Sequence, residues 1–318
     1  MALYRPDLGA ELPRVASTRD AVEAAILGKH RDVRGWLFEA ALLLTLLLSL
    51  GVLVTLLVDI IGTGWDVLAT RKTEFLTSNL SSIASRAGVW QGLVGSLMLM
   101  VFVIVLAFPL GIGAAVYLEE YAPDNAGTRL LTANIRNLAG VPSIVYGLLG
   151  LAIFVLALEP LTGGLTVISG GLTLAILVFP IVIITSMEAL RAVPSSIREA
   201  GYAVGATKWE VIRSHVLPYA SPGIFTGTVL SMARALGETA PLILVGAFTG
   251  TFFGAAGSLG ERLRGPYTTL PTVVFNWSRL PGEDFRHMAA AASVLLMALI
   301  LVVNGTAILL RNRYERKW

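Results

Sequence analysis

Arg234 and Glu238 are the residues of this chain best placed to do chemistry. They stand four apart in Ser231-Met232-Ala233-Arg234-Ala235-Leu236-Gly237-Glu238-Thr239-Ala240-Pro241, within a largely apolar run. On a helix this spacing puts both on one face, where they can pair. If the run crosses a bilayer from about residue 221, Arg234 sits ~20 Å deep at 1.5 Å per residue, near the centre. A charge there costs at least about 2.5–3.5 kcal/mol on insertion scales, so it needs a reason. One reason is structural: the two charges neutralise each other and tie helices together. The other is chemical. A guanidinium facing water offers paired donors in a planar fork that suits an oxyanion, and it stays charged at any physiological pH. Glu238 would hold Arg234 while the site is empty and release it when the anion arrives. Both readings can hold in different states of one cycle, and the chemical one is preferred. Ser231 and Thr239 could add hydroxyl donors, although bonding to the helix's own backbone is the commoner use of either. Pro241 leaves the Gly237 carbonyl without its usual donor and predicts a kink beside the pair.

Such a pair must be held by elements that live in lipid. The chain has 318 residues and no cysteine; 55% are hydrophobic and only 14% charged. Its mean hydropathy is +0.74. Soluble domains carry roughly 25% charged residues, so much of this surface is suited to lipid as solvent. Six runs are long enough to span a bilayer, near 38–61, 93–118, 138–158, 167–189, 221–247 and 288–310. None alternates with a period of two, which argues against a barrel. The expected fold is an all-α polytopic membrane protein of about six transmembrane helices. The first run follows a polar segment of about 37 residues and is longer than the roughly 7–15 apolar residues of a signal peptide, so it reads as a retained anchor. Pro109, Pro180 and Pro241 each delete a backbone hydrogen bond, a loss that packed neighbours make good in membranes. Glycines such as Gly111, Gly147, Gly150 and Gly171 suit close helix contact.

Charge sets the orientation. With both termini in the cytoplasm, the inner segments 1–37, 119–137, 190–220 and 311–318 hold 16 Lys and Arg, against 7 in the outer segments 62–92, 159–166 and 248–287. That bias favours cytoplasmic N- and C-termini. The pI near 9.3 therefore belongs to loops. No basic stripe with interleaved aromatics occurs, so nucleic acid is not an expected partner. The long outer segments could form short helices or lids, and Arg71, Lys72 and Arg86 there read as solvated. In the cytoplasmic N-terminal segment 1–37, Ser17-Thr18-Arg19-Asp20 can cap a helix through about Leu27 whose weak apolar face would lie along the membrane. Residues 311–318 form a cytoplasmic tail.

The inner stretch 196–218 is the second constellation. It reads as two short helices around a glycine. Ser196-Ile197-Arg198-Glu199 and Thr207-Lys208-Trp209-Glu210 both fit capping boxes. Gly205 permits the reversal between them, and Leu217-Pro218 is expected to end the second helix. A rigid protrusion between two spans suits force transmission, with Tyr202, Ala203, Val204 and Trp209 as docking contacts. The pattern Glu199-Ala200-Gly201, then Gly205, then Leu217-Pro218 resembles the EAA loop of ABC-importer permeases. It departs at Gly201, where that motif has alanine, and at His215, where it has isoleucine. Gly140-Val141-Pro142-Ser143-Ile144-Val145-Tyr146-Gly147-Leu148-Leu149-Gly150, Glu188 to Pro194, Arg234 to Leu242, Thr269-Leu270-Pro271 and Asn276-Trp277 are similar to phosphate permeases, the A-type subunit above all. The likeness covers roughly residues 75–318.

The resemblance implies a type I ABC-importer permease fold in a bacterial inner membrane. It implies a coupling helix formed by Glu199, Ala200, Gly201, Tyr202, Gly205 and Trp209, seated on a homodimeric ATPase that carries ATP and Mg2+. It implies a heterodimer with a C-type permease, an external phosphate-binding protein, alternating access, and passage of phosphate by Arg234 and Glu238. The chain has no Gly-x-x-x-x-Gly-Lys-Ser/Thr loop, so it is expected to bind no cofactor and hydrolyse no ATP itself. A permease for molybdate or sulfate is the nearest rival, and a secondary transporter without a coupling loop is a more distant one. An enzyme is least favoured: His30, His215 and His287 are scattered and stand beside no metal-ligand spacing of carboxylates.

Overall fold

Lipid-suited runs become helices whose apolar side chains are left open to the surroundings. A computed structural model describes residues 33–247 and 259–314. The expected helix ending near Leu27, His30 and residues 315–318 lie outside the described residues, as does 248–258 of the second outer segment. The chain forms two compact units, Met1–Leu57 and Val58–Trp318. The described part of the first unit belongs to α1 (Val33–Thr77). Its Trp36, Phe38, Leu44 and Leu48 are exposed, a surface that water would penalise and hydrocarbon would not.

The second unit contains α2 (Trp90–Tyr121), α4 (Ser143–Ala157), α3 (Ala126–Ala139), α5 (Val167–Arg191) and α6 (Ser195–Ala203). It continues through α7 at 208–237, α8 (Ala240–Leu244), α9 (Leu270–Trp277) and α10 (Glu283–Tyr314). Four helices, α1, α2, α5 and α10, are long and apolar enough to cross a membrane, and α3 with α4 makes a fifth if that pair, bent by 101°, is one span. Among the described residues, β pairing amounts to one bridge between Ala247 and Tyr267.

Two expected spans differ in form. The run at 138–158 is only the second arm of the bent pair. Asn125 caps α3 by accepting from the Thr128 N–H at 2.9 Å, and Pro142 forces the chain away from helical geometry before α4 begins. The run at 221–247 is broken, because α7 stops at Gly237.

Four π-helical stretches, Val103–Ala107, Tyr117–Tyr121, Leu151–Ala157 and Ile212–Val216, each end two or three residues before a proline: Pro109, Pro123, Pro160 and Pro218. Proline has no N–H to give, and where the helix runs on through it, at Pro109 and Pro218, a local i→i+5 register absorbs the mismatch. The Leu217 N–H accordingly reaches the Ile212 carbonyl. Leu217-Pro218 therefore lies inside α7 and does not end a helix, contrary to expectation.

α5 is the axis of the packing. Its Leu174, Val178 and Val182 join Leu99 and Val103 of α2, Tyr146 of α4 and Leu236 of α7 in one buried cluster. A second cluster, with Leu118, Met187, Leu190, Val211 and Ile212, lies under the 196–218 stretch. A third joins the segments expected to lie outside through Phe75, Val89, Leu270, Val273 and Trp277. There Arg71 is not solvated: its side chain is 15% exposed, and it donates to the Ala84 carbonyl at 3.0 Å because the third cluster has closed around it. Arg86 is exposed.

Candidate functional site

Arg234 stands three residues before the end of α7. Beyond Gly237 the backbone turns extended at Glu238 (φ −73°, ψ 127°). Thr239 then leads into α8, where Pro241 occupies the first turn. The Glu238 N–H still reaches the Ala235 carbonyl at 3.4 Å, so the stop is a capped break. Arg234 Nε lies 3.3 Å from Glu238 Oε1. The pair expected from the spacing therefore forms, but Glu238 reaches it from outside the helix and not along a shared helical face. Arg234 is 46% exposed and Glu238 16%. An ion pair this open is held weakly, and its guanidinium is nearly half exposed.

The break is seated by α4. A Cβ added at Gly147 would fall 2.6 Å from the Pro241 Cα, so the glycine is what lets α8 approach. Tyr146 beside it donates to the Leu138 carbonyl at 2.8 Å across the bend. The two hydroxyl candidates separate. Ser231 is fully buried and donates to the Gly227 carbonyl at 2.8 Å, the commoner use of a helical serine. Thr239 is partly buried and makes no side-chain cap.

The second constellation is a rigid knuckle. Gly205 adopts φ +82°, where only glycine is at ease. Its N–H donates to the Tyr202 carbonyl at 3.0 Å, and the Ala206 N–H to the Gly201 carbonyl at 3.2 Å. Thr207 and Glu210 make the expected capping box. The Thr207 N–H and hydroxyl, at 2.7 and 2.8 Å, hold the Glu210 carboxylate below the usual range. The box expected at Ser196 does not form. α6 begins one residue earlier, with Pro194 at its cap and no side-chain bond there. Gly201 is buried, and a Cβ there would meet Val211 at 2.6 Å, which accounts for glycine at this position. Glu199, Ala200, Tyr202, Ala203, Val204 and Trp209 are all exposed, Val204 at 84% and Trp209 at 52%. His215 is exposed as well.

Sequence reasoning missed what anchors the knuckle. Glu119 and Glu120, at the end of α2, pair with Arg191 at 2.7 Å and Arg198 at 2.6 Å. The signal was two adjacent acids closing an apolar run, opposite arginines on either side of Pro194. Among the described residues no group of His, Asp and Glu could hold a metal ion.

The model of the binding-protein-dependent transport system inner membrane component family matches residues 107–316, which include the bent α3–α4 pair, the knuckle and the helix break. The chain belongs to this family. As a member of this inner membrane component family it is a multi-pass transport subunit. Among its relatives, the phosphate transport system permease protein PstA 1 of Mycobacterium tuberculosis (strain ATCC 25618 / H37Rv) is 33% identical over 81% of this chain and 81% of that protein. PstA of Mycobacterium leprae (strain TN) is 39% identical over 63% of this chain and 64% of that protein. A crystal structure of a bacterial alginate ABC transporter in complex with a pentasaccharide-bound periplasmic protein matches with a TM-score of 0.65 at 16% identity. It covers 89% of this chain and 96% of that one. That likeness bears on the fold, and it is the fold of an ABC-importer permease.

Proposed function

We propose that this chain is the A-type permease subunit of a bacterial ABC importer that carries inorganic phosphate across the inner membrane. The observation that carries the reading is the open Arg234–Glu238 pair at the break between α7 and α8. A half-exposed guanidinium on a helix in lipid is costly unless it faces water or a partner. Its fork suits a tetrahedral oxyanion, and Glu238 is the competing anion that the substrate displaces. The name of the mycobacterial relative supports phosphate and the A-type assignment.

In this reading the termini and the 196–218 knuckle are cytoplasmic. Glu199, Ala200, Gly201, Tyr202, Gly205 and Trp209 make the coupling surface, which docks on a homodimeric ATPase carrying ATP and Mg2+. Arg234, Glu238 and Thr239 line the path. Ser231 supports that helix from behind. A C-type permease completes the path, and a phosphate-binding protein delivers substrate from outside. The chain itself supplies transport geometry and no nucleotide chemistry.

The test is uptake of labelled phosphate by the reconstituted complex, with Arg234→Ala and Arg234→Lys compared. Alanine is expected to abolish uptake while leaving assembly intact. Lysine, a point charge without the fork, should retain partial uptake. Normal uptake by Arg234→Ala would remove the site. Excess molybdate or sulfate should fail to compete; competition would shift the substrate to another oxyanion.

A further inference from the structure

Arg198 uses every nitrogen of its guanidinium. Nε donates to Glu120 Oε1 at 3.1 Å, and Nη2 to the same oxygen at 2.6 Å. Nη1 donates to the Val193 carbonyl at 2.9 Å, and Nη2 also reaches the Leu190 carbonyl at 3.1 Å. One side chain of α6 thus clasps the end of α2, the Val193 carbonyl of the α5–α6 link and the Leu190 carbonyl in the last turn of α5. Carbonyls at a helix C-terminus carry partial negative charge and favour a cation. Glu120 is 5% exposed and Arg198 22%. Apolar residues of similar size would usually stabilise such a site as well or better. What they lack is direction: a forked ion pair fixes the distance and angle between the parts it joins.

The covalent link between α5 and α6 is short and bent at Pro194, which is extended (φ −57°, ψ 140°). A push on α6 could be absorbed by rotation at that link. The clasp blocks this, because α6 cannot turn without moving Glu120 and the end of α5. Behind them, the second buried cluster joins Leu118 of α2 to Leu190 and Met187 of α5, so the motion enters two membrane helices together. The neighbouring Arg191–Glu119 pair, at 2.7 Å, repeats the α5–α2 tie from a more open position.

We propose that Arg198, through Glu120, is a positioning residue that makes the knuckle, the end of α5 and the end of α2 move as one body, and so converts displacement of the knuckle into opening of the path. The proposal rests on the reading of α6 as the seat of a separate ATPase. A purely structural clasp would lower uptake and ATP hydrolysis together. A mechanical one sets the ratio between them.

The experiment measures phosphate taken up per ATP hydrolysed by the full complex in liposomes. In Arg198→Lys and Glu120→Gln the ratio should fall about tenfold while hydrolysis persists, the size expected for residues coupled in one network. Because the chain has no cysteine, Glu120→Cys with Arg198→Cys can be bridged by a short bismaleimide. The unbridged pair should be uncoupled, and bridging should restore the ratio. An unchanged ratio in the single variants, a parallel loss of uptake and hydrolysis, or a bridge that restores nothing would overturn the proposal. If Arg198→Lys does not assemble, Glu120→Gln and the bridged pair decide. A wild-type complex that hydrolyses ATP but takes up no phosphate would refute the phosphate reading instead; unchanged coupling in the variants beside an active wild type refutes the clasp alone.

Discussion

Replacing Gly201 with alanine tests whether close contact locks the knuckle. An added Cβ would lie 2.6 Å from Val211 Cγ2 and 3.2 Å from Cγ1. The first distance forces something to move. Val211 is β-branched and has one comfortable rotamer in a helix, so it cannot swing aside. Overpacking of this kind costs about 1–3 kcal/mol. Alanine returns about 1 kcal/mol of helix propensity relative to glycine. The balance is a local loss of about 1 kcal/mol, equivalent to roughly fivefold faster exchange of α6 amides through local opening. Hydrogen exchange of the peptide 195–204 in the assembled complex reads this directly. Val211→Ala removes the clashing methyls, so adding Gly201→Ala to that background should increase protection. Equal or greater protection in Gly201→Ala alone would refute the packing argument.

Gly205→Pro demands φ near −65° where the chain has +82°, and it deletes the N–H that reaches Tyr202; loss of uptake per ATP is expected, and unchanged coupled transport would refute the role of the turn. Gly205→Ala should be milder, at about 1–2 kcal/mol of left-handed strain, visible as faster exchange across 200–207. Gly147→Val brings a Cβ within 2.6 Å of the Pro241 backbone, so α8 must shift; uptake should fall with the subunits still co-purifying, and normal uptake would show that the break tolerates displacement. The Glu210 carboxylate is held below its ordinary value by Thr207. A folded pKa below the unfolded one means that its stabilisation is complete at neutral pH. It is lost as pH falls below about 4.5 toward the lowered folded value. Protection of the first turn of α7 should fall over that range in the wild type and stay flat in Glu210→Ala.

Much of the fold was legible because lipid leaves a loud signal. The runs at 38–61, 93–118, 167–189 and 288–310 needed only hydropathy. Thr207 to Glu210 and Gly205 were legible because capping and positive φ are local requirements written in a few adjacent residues. The neighbourhood of Arg234 and Glu238 followed from their spacing, although the route, around a helix end, did not. α3 escaped because Arg129, Asn134 and Arg136 interrupt its apolar pattern; its Asn125 cap was the available signal. The clasp left only a faint signal, two adjacent acids closing an apolar run and arginines on either side of Pro194, and the pairing itself was not in it. Glu120 and Arg198 are 78 positions apart, and nothing in either neighbourhood names the other. Gly201 looked like a departure from a motif until Val211 explained it, since a contact that forbids a methyl leaves no trace in one sequence.

The π turn at 212–216 lies well before Arg234 on the same continuous helix. Such a turn holds one residue more than an α-turn, and on a helix each residue swings the next side chain by about 100°. The compass bearing of the guanidinium is therefore dialled in beside the knuckle, many residues upstream of where it is used. Shortening that turn by one residue would leave every local contact of Arg234 spelled the same and point it at the wrong neighbour.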